Sequence, residues 1–327
     1  MDEQSGLTLV TGATGFVGQA LVRHLAAMRG SGVRAAVRQV DPTKRVDGAQ
    51  VVVVADFSAD TDWTDALTGV SSVVHAAARV HVMKETALDS LMEYRRVNVQ
   101  GTLCLARQAA AAGVKRFVFL SSIKVNGEAT QVGQPFTADG VPAPSDPYGI
   151  SKMEAEQGLR EVALQTGMEV VIIRPPLVYG AGVRANFQVM MQWLTRGVPL
   201  PLGAVQHNRR SFVALDNLVD LIAICIHHPA AANQIFLVSD DEDLSTTELL
   251  RRMGQALGKP ARLLWVPPSM LKLGAFLTGK PELAQRLCGS LQVDISKTRQ
   301  LLVWHPPVSV SVGLRKVAEG YLRETSV

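Results

Sequence analysis

At 327 residues the chain can bury one large core or a core plus a lobe, and 47% apolar against 19% charged residues marks a globular rather than a disordered composition. Its net charge of +4 raises nucleic acid as a partner, but the arginines stand singly or in pairs (Arg95-Arg96, Arg209-Arg210, Arg251-Arg252), which fits a few phosphate contacts to a small ligand better. Cys104, Cys225 and Cys288 are scattered, the acidic start Met1-Asp2-Glu3 is no signal peptide, and apolar runs such as Leu218–Ile226 are too short to cross a bilayer, so we expect a cytoplasmic protein with no membrane insertion, disulfide or metal.

In chain order, a first apolar run predicts a strand over Leu7–Val10, followed by Thr11-Gly12-Ala13-Thr14-Gly15-Phe16-Val17-Gly18 and a helix over Gly15–Met28. Glycines at 12, 15 and 18 in a strand-to-helix turn let the backbone approach a pyrophosphate, and the helix N-terminus faces it with its positive dipole end. A glycine-rich turn without a ligand is the alternative. The next strand, Val33–Val37, ends at Arg38, with Arg34 and Lys44 nearby, where an acidic residue would favour NAD. A guanidinium there can pair with a 2′-phosphate and favours NADP(H), with NAD(H) possible; it can also be a solvated surface group.

Further strands are expected over Val51–Val54, Ser72–His75, Arg116–Leu120, Glu169–Ile173 and Ile235–Val238, with helices over Leu88–Ala112 and Ser151–Thr166. Strands apolar on both faces and separated by helices predict a doubly wound, Rossmann-type α/β parallel sheet. Asp56-Phe57 would sit by the adenine, and Ala76-Ala77-Ala78 leaves room for the cofactor backbone. Tyr148 and Lys152 lie four apart at the start of a helix, hence on one face, and Ser121-Ser122 ends the preceding strand. An ammonium near a phenol lowers its pKa and tunes it for proton transfer, and a serine hydroxyl can bind the same substrate oxygen. A packed Tyr148 with Ser122 as a strand-end cap is the bland alternative.

After Arg174-Pro175-Pro176 prolines and glycines cluster and the alternation thins. The expected division is a cofactor domain over 1–176, joined by strand 235–238, and a smaller C-terminal substrate lobe over 177–230 and 240–327. Gly274–Lys280 has the glycine–lysine spacing of a phosphate loop, but Pro281 follows it and no strand precedes it, so a turn between helices is expected.

Together Thr11–Gly18, His75–Ala78, Asn98-Val99-Gln100-Gly101-Thr102, Ser121-Ser122, Tyr148-x-x-x-Lys152 and Arg174–Gly180 resemble the extended short-chain dehydrogenase/reductase family, in its NAD-dependent epimerase/dehydratase branch. The resemblance implies Ser122, Tyr148 and Lys152 as a catalytic triad. It implies Gly12, Thr14, Gly15, Phe16, Val17, Gly18, Arg38, Asp56, Phe57, Ala76, Ala77, Ala78, Asn98, Pro175 and Leu177 as further cofactor contacts. Asn186, Arg209 and, more weakly, Arg286 match positions that hold a nucleotide sugar's diphosphate; Arg209 capping a loop is the alternative.

Ser121–Glu128 resembles bacterial reductases of UDP-4-keto-6-deoxy-N-acetylhexosamines, of the UDP-N-acetylquinovosamine type, in lipopolysaccharide O-antigen and capsule synthesis. UDP-glucose 4-epimerase-like members carry a tyrosine where this chain has Asn126 and an acid where it has Arg38. The resemblance therefore implies reduction of a UDP-4-keto sugar first, a UDP-sugar 4-epimerase with tightly bound NAD second, and a cofactor-sensing regulator third. It also implies a homodimer through the helices near 88–112 and 151–166.

Overall fold

The computed structural model describes residues 6–28, 32–41, 46–80, 90–184 and 186–325. Lys44 and Leu88 lie outside them. Strands β1 (Leu7–Thr11), β2 (Gly32–Val37), β3 (Gln50–Val53), β4 (Val70–His75), β5 (Arg116–Leu120), β6 (Glu169–Arg174), β7 (Leu177–Tyr179), β8 (Phe212–Ala214) and β9 (Ile235–Leu237) follow in sequence. Seven form one sheet in the order β3-β2-β1-β4-β5-β6-β9, and every pairing in it is parallel. All seven strands expected from the sequence are in that sheet. Their near-continuous apolar runs are those of strands covered on both faces, and Leu9, Val10, Val73, Val74, Phe117, Phe119, Val171 and Ile173 are fully or almost fully buried. Only the edge breaks the pattern: Val51 and Val53 on β3 are about half exposed.

Strand order reverses between β1 and β4, the switch point at which open α/β sheets leave a crevice at their carboxyl ends. The glycine turn follows β1 and Ala76–Ala78 follow β4, so sequence and topology deliver both to that crevice.

The expected helix over Leu88–Ala112 is broken into Ser90–Tyr94, a π-helical turn over Arg95–Gly101, and Thr102–Ala111. π-Turns inside helices concentrate at functional sites, and this one contains Asn98. The helix expected from Ser151 starts earlier, at Pro147. Asp146 caps it, its carboxylate accepting from the Gly149 amide at 2.6 Å, and proline occupies the first turn, where no amide is needed.

A second apolar cluster lies beyond β6: Tyr179, Phe187, Met191, Phe212, Leu250 and Leu314 among others. Tyr179 stacks on Phe187 at 5.5 Å and donates to Asp240 Oδ2 at 2.6 Å. Asp240 Oδ1 also accepts from the Ala214 amide and Asn217, which pins β8 and the helix that follows it. That helix, Leu215–His227, falls in the expected 177–230 lobe, yet its buried face (Leu218, Leu221, Ile222, Cys225) belongs to the first core. It packs against the helix after β1, as a crossover on the same sheet must. Gly274–Leu277 ends the helix Pro268–Leu277, and Gly279 (φ +68°) turns the chain into the helix Pro281–Cys288.

Candidate active site

The glycine turn is built by close approach. Gly12 has φ +67°, and a Cβ there would lie 2.7 Å from the Ala77 nitrogen. A Cβ on Gly18 would come within 2.1 Å of the Gly12 carbonyl oxygen, so the helix can sit on the turn only with glycine in place. The Gly15 amide donates to the Gly12 oxygen at 2.8 Å, and no side chain caps the helix Phe16–Ala27. Its leading amides stand beside a floor that any side chain would fill. These features fit a dinucleotide pyrophosphate. Arg38 is exposed just past β2, and Asp56 and Phe57 follow β3, with Asp56 accepting from the Phe57 amide at 2.7 Å.

A directed chain of hydrogen bonds ties the ends of β1 and β4 to the π-turn. The Ala77 amide donates to Thr11 Oγ1 at 3.3 Å, and Thr11 Oγ1 lies 2.7 Å from His75 Nδ1. His75 Nε2 is 3.0 Å from Thr102 Oγ1, which donates to the Asn98 carbonyl at 2.7 Å. Since both threonine oxygens already hold partners, the chain is satisfied only if His75 donates from Nε2 and accepts at Nδ1. Burial, reinforced by the Lys152 charge, pushes the His75 pKa down to about 3, so the ring is neutral. Asn98 completes the join: its carboxamide accepts from the Arg79 amide at 2.8 Å and donates to the Arg79 carbonyl and to Ser151 Oγ. The π-turn also passes close to the loop after β3, for a Cβ on Gly101 would meet the Phe57 carbonyl at 3.0 Å.

Ser122, Tyr148 and Lys152 converge from β5 and the helix Pro147–Thr166. The Tyr148 ring meets Tyr94 edge-on at 6.0 Å, and the Ser122 hydroxyl is the neighbour that works to lower the phenol pKa. Lys152 is buried; its ammonium donates to the Leu120 carbonyl at 2.8 Å and stands 4.4 Å over the Phe119 ring. Burial pushes its pKa down to about 7, partly offset by Glu156. The phenol departs from expectation: burial first, then the Asp146 and Tyr94 charges, raises the Tyr148 pKa above the usual tyrosine value. The phenol is therefore protonated at neutral pH.

Behind the three lies a buried polar network that the sequence reading missed. Ser121 Oγ donates to Glu156 Oε1 at 2.5 Å, Glu156 pairs with Arg174, and Arg174 Nη1 donates to Asn126 Oδ1 at 3.0 Å. Asn126, noted only as a departure from a tyrosine, is buried and donates to the Thr137 carbonyl at 2.9 Å. The available signal was spacing: Glu156 lies four residues after Lys152, on the same helix face. Lys124 and Asp146 form an ion pair beside Ser122 and Tyr148.

Pro175 is buried, its carbonyl accepting from the Ile123 amide at 3.0 Å, and Leu177 is exposed at the start of β7. Asn186 opens the helix Asn186–Thr195. Arg209 Nη1 donates to the Gln206 and Asn208 carbonyls at 3.0 and 3.1 Å, as a loop-capping arginine does. Its backbone bonds to Ser290 and Leu291, and Arg210 donates to the Arg286 carbonyl, so Arg209 and Arg286 come from adjoining segments. Among the described residues no cluster of His, Cys, Asp or Glu could hold a metal.

The description "NAD dependent epimerase/dehydratase family" matches residues 8–239. The chain is 49% identical over 315 residues to a protein of Vibrio cholerae named UDP-glucose 4-epimerase, covering 96% of this chain and 95% of that one. Among solved structures, UDP-glucose 4-epimerase of Thermotoga maritima with UDP-glucose superposes with a TM-score of 0.77 at 21% identity, covering 98% of this chain and 100% of that one. UDP-glucuronic acid 4-epimerase of Bacillus cereus with NAD does so at 0.76 and 21%, covering 97% and 99%. At those identities the structural likeness speaks for the fold. The extent of the family match and the identity to the Vibrio protein go further: the chain belongs to the NAD dependent epimerase/dehydratase family of extended short-chain dehydrogenases/reductases.

Proposed function

We propose that the protein is a nucleotide-sugar oxidoreductase acting at C4 of a UDP-sugar, and that its reaction is 4-epimerisation. The observation that carries the chemistry is the convergence of Ser122, just past β5, with Tyr148 and, one helical turn on, Lys152, at the carboxyl edge of the sheet that also bears the glycine turn. The name of the Vibrio cholerae relative supports epimerisation over the reduction expected first.

In this reading Gly12, Thr14, Gly15, Phe16, Val17 and Gly18 hold the pyrophosphate of NAD(P), and Arg38, Asp56 and Phe57 face its adenosine. Ala76, Ala77, Ala78, Asn98, Pro175 and Leu177, with Tyr148 and Lys152, surround the other half. A nicotinamide held there would supply hydride transfer to and from C4 of the sugar. Tyr148 moves the proton of the C4 oxygen, Ser122 fixes that oxygen's position, and Lys152 binds the ribose and stabilises the phenolate. Residues 1–176 with 235–238 hold the cofactor, and the lobe over 177–230 and 240–327, apart from the sheet-covering helix Leu215–His227, holds the UDP, its diphosphate facing Asn186, Arg209 and Arg286. Pairing of two copies through the helices near 90–111 and 147–166 belongs to the same reading.

A second reading, reduction of a UDP-4-keto-6-deoxy-N-acetylhexosamine with NADPH, is favoured by two observations. Arg38 stands exposed past β2, and Ser121–Glu128 resembles such reductases. A pure cofactor sensor has no use for the convergence of Ser122, Tyr148 and Lys152. Incubating the protein with UDP-glucose, UDP-N-acetylglucosamine and a UDP-4-keto sugar, with and without NADPH, separates these. Interconversion of C4 epimers without net cofactor oxidation is the expected result. Stoichiometric NADPH oxidation by the keto sugar selects the reductase, and turnover of neither overturns the assignment to C4 chemistry.

A further inference from the structure

The helix Pro268–Leu277 lies at the margin of the second apolar core, which it meets through Leu271. Six of its ten residues are Met, Leu, Ala or Phe, yet none of the ten is buried. Met270, Leu273, Phe276 and Leu277 are 59–75% exposed, and Trp265, just before the helix, is 73% exposed. Met270, Leu273 and Leu277 recur at helical spacing and share one face, while Leu271 turns inward against the second core. Across the turn Leu283 adds a further half-exposed apolar side chain on the helix Pro281–Cys288. Scattered apolar residues on a surface need no cause, but a contiguous patch of this kind marks an interaction site.

The charges carried by this stretch of chain are nearly all of one sign. Between 259 and 288 the chain carries Lys259, Arg262, Lys272, Lys280 and Arg286, against Glu282 alone. This stretch therefore accounts for a local excess equal to the +4 of the whole chain. An aromatic and aliphatic face bordered by cations is the composition of a helix that lies in the headgroup region of an anionic bilayer. A second copy is a poor occupant, since a two-fold contact of the patch with itself brings these cations together. No helix among the described residues is long and apolar enough to cross a membrane, so the contact can only be peripheral.

We propose that the helices Pro268–Leu277 and Pro281–Cys288 form a peripheral docking element that lays its apolar face on an anionic lipid bilayer. The element is tied to the lobe's polar segment: Arg210 donates to the Arg286 and Gly289 carbonyls, both at 3.2 Å, and Thr246 Oγ1 to the Leu287 carbonyl at 2.6 Å. Docking therefore sets Asn208-Arg209-Arg210 near the membrane surface. The proposal stands apart from the C4 chemistry and does not depend on it.

The test is vesicle flotation of the full chain with liposomes of phosphatidylglycerol and phosphatidylethanolamine, beside liposomes of phosphatidylcholine alone. The chain is expected to float with the anionic vesicles, to be released by high salt, and to stay behind with phosphatidylcholine. Leu273→Ser/Phe276→Ser/Leu277→Ser should lose flotation at least tenfold, with unchanged melting temperature because these side chains support no core. Lys272→Gln and Lys280→Gln should each weaken binding about fivefold, the factor expected per cation near an anionic surface. Absence of flotation by the wild-type chain overturns the proposal. So does equal flotation of the triple variant, or a triple variant whose one change is a smaller assembly in light scattering.

Discussion

Glu156 and Arg174 meet in a two-point ion pair, Nε to Oε1 at 2.9 Å and Nη2 to Oε2 at 2.5 Å, with side chains 4% and 2% exposed. One comes from the helix that bears Tyr148 and Lys152, the other from the end of β6. Through Ser121 and Asn126 the pair also holds the segment that bears Ser122. Three elements that must agree in position to form the site are thus joined behind it.

The pair sets the first prediction. Arg174→Met strands a buried carboxylate and should cost about 3–5 kcal/mol in urea unfolding, as removal of one partner of a buried pair does. Removing Glu156 as well should recover part of that loss, because the remaining charge is then gone. A single variant as stable as the parent would show that the pair holds nothing.

Tyr148→Phe keeps the ring and its edge contact with Tyr94 but removes the proton. Turnover should fall about 10²–10⁴-fold, the loss expected for a general acid–base group, with little change in melting temperature or in cofactor affinity by calorimetry. Near-normal turnover would remove Tyr148 from the chemistry.

Gly18→Ala tests the cradle. Its Cβ would press to 2.1 Å from the Gly12 carbonyl oxygen, which can be relieved only by moving the helix off the turn. Cofactor binding should fall at least tenfold and stability by about 1–3 kcal/mol, the usual cost of overpacking a tight contact. Gly113→Ala, where a Cβ meets nothing within 4 Å but φ is +83°, is the control for backbone strain alone.

The features legible in the sequence were those written in local patterns. Seven strands, the glycine turn and the Tyr148–Lys152 spacing each repeat a rule that one element obeys by itself. What stayed hidden depends on several elements at once. Asn98 is named only through the family resemblance, and its bonds to Arg79 and Ser151 follow from the π-turn, which no local pattern announces. Asn126 read as a missing tyrosine, though its amide serves Arg174. Spacing places Lys152 beside Tyr148 but does not state how deeply the phenol is buried, and burial is the largest influence on it here. The helix Leu215–His227 falls inside the 177–230 stretch yet covers the main sheet, because an apolar face does not state which neighbour it packs on.

Lys152 predicts a pH dependence of stability. Its pKa is about 7 in the folded chain against 10.5 in an unfolded one. Between those values the unfolded chain binds the extra proton, so the stability owed to this group rises with pH from about 7 to about 10.5. Below pH 7 both states are protonated and the burial cost is present in full. Lys152→Met should therefore melt higher than the parent near pH 7, lose the advantage toward pH 10, and be strongly impaired in turnover. Melting curves of parent and variant that run parallel over this range would show that the ammonium is not disfavoured by burial.

The last prediction separates the two readings of the reaction through Arg38. An epimerase regenerates its cofactor in every cycle and gains nothing from distinguishing NADP from NAD. A reductase must exchange cofactor at each turnover, and a guanidinium past β2 can pair with the 2′-phosphate of NADPH. If the protein is the epimerase, it should purify with NAD bound, and Arg38→Asp should change its turnover less than about threefold. If it is the reductase, it should prefer NADPH, and Arg38→Asp should reverse the preference by exchanging a charge-assisted contact for repulsion, a difference of about 1.5–3 kcal/mol or more. Arg38 can also stack on the adenine of either cofactor, so the Arg38→Ala variant is needed beside it. Equal weakening toward NADH and NADPH in that variant identifies stacking and leaves the epimerase reading in place, whereas selective loss of NADPH moves the assignment to the reductase.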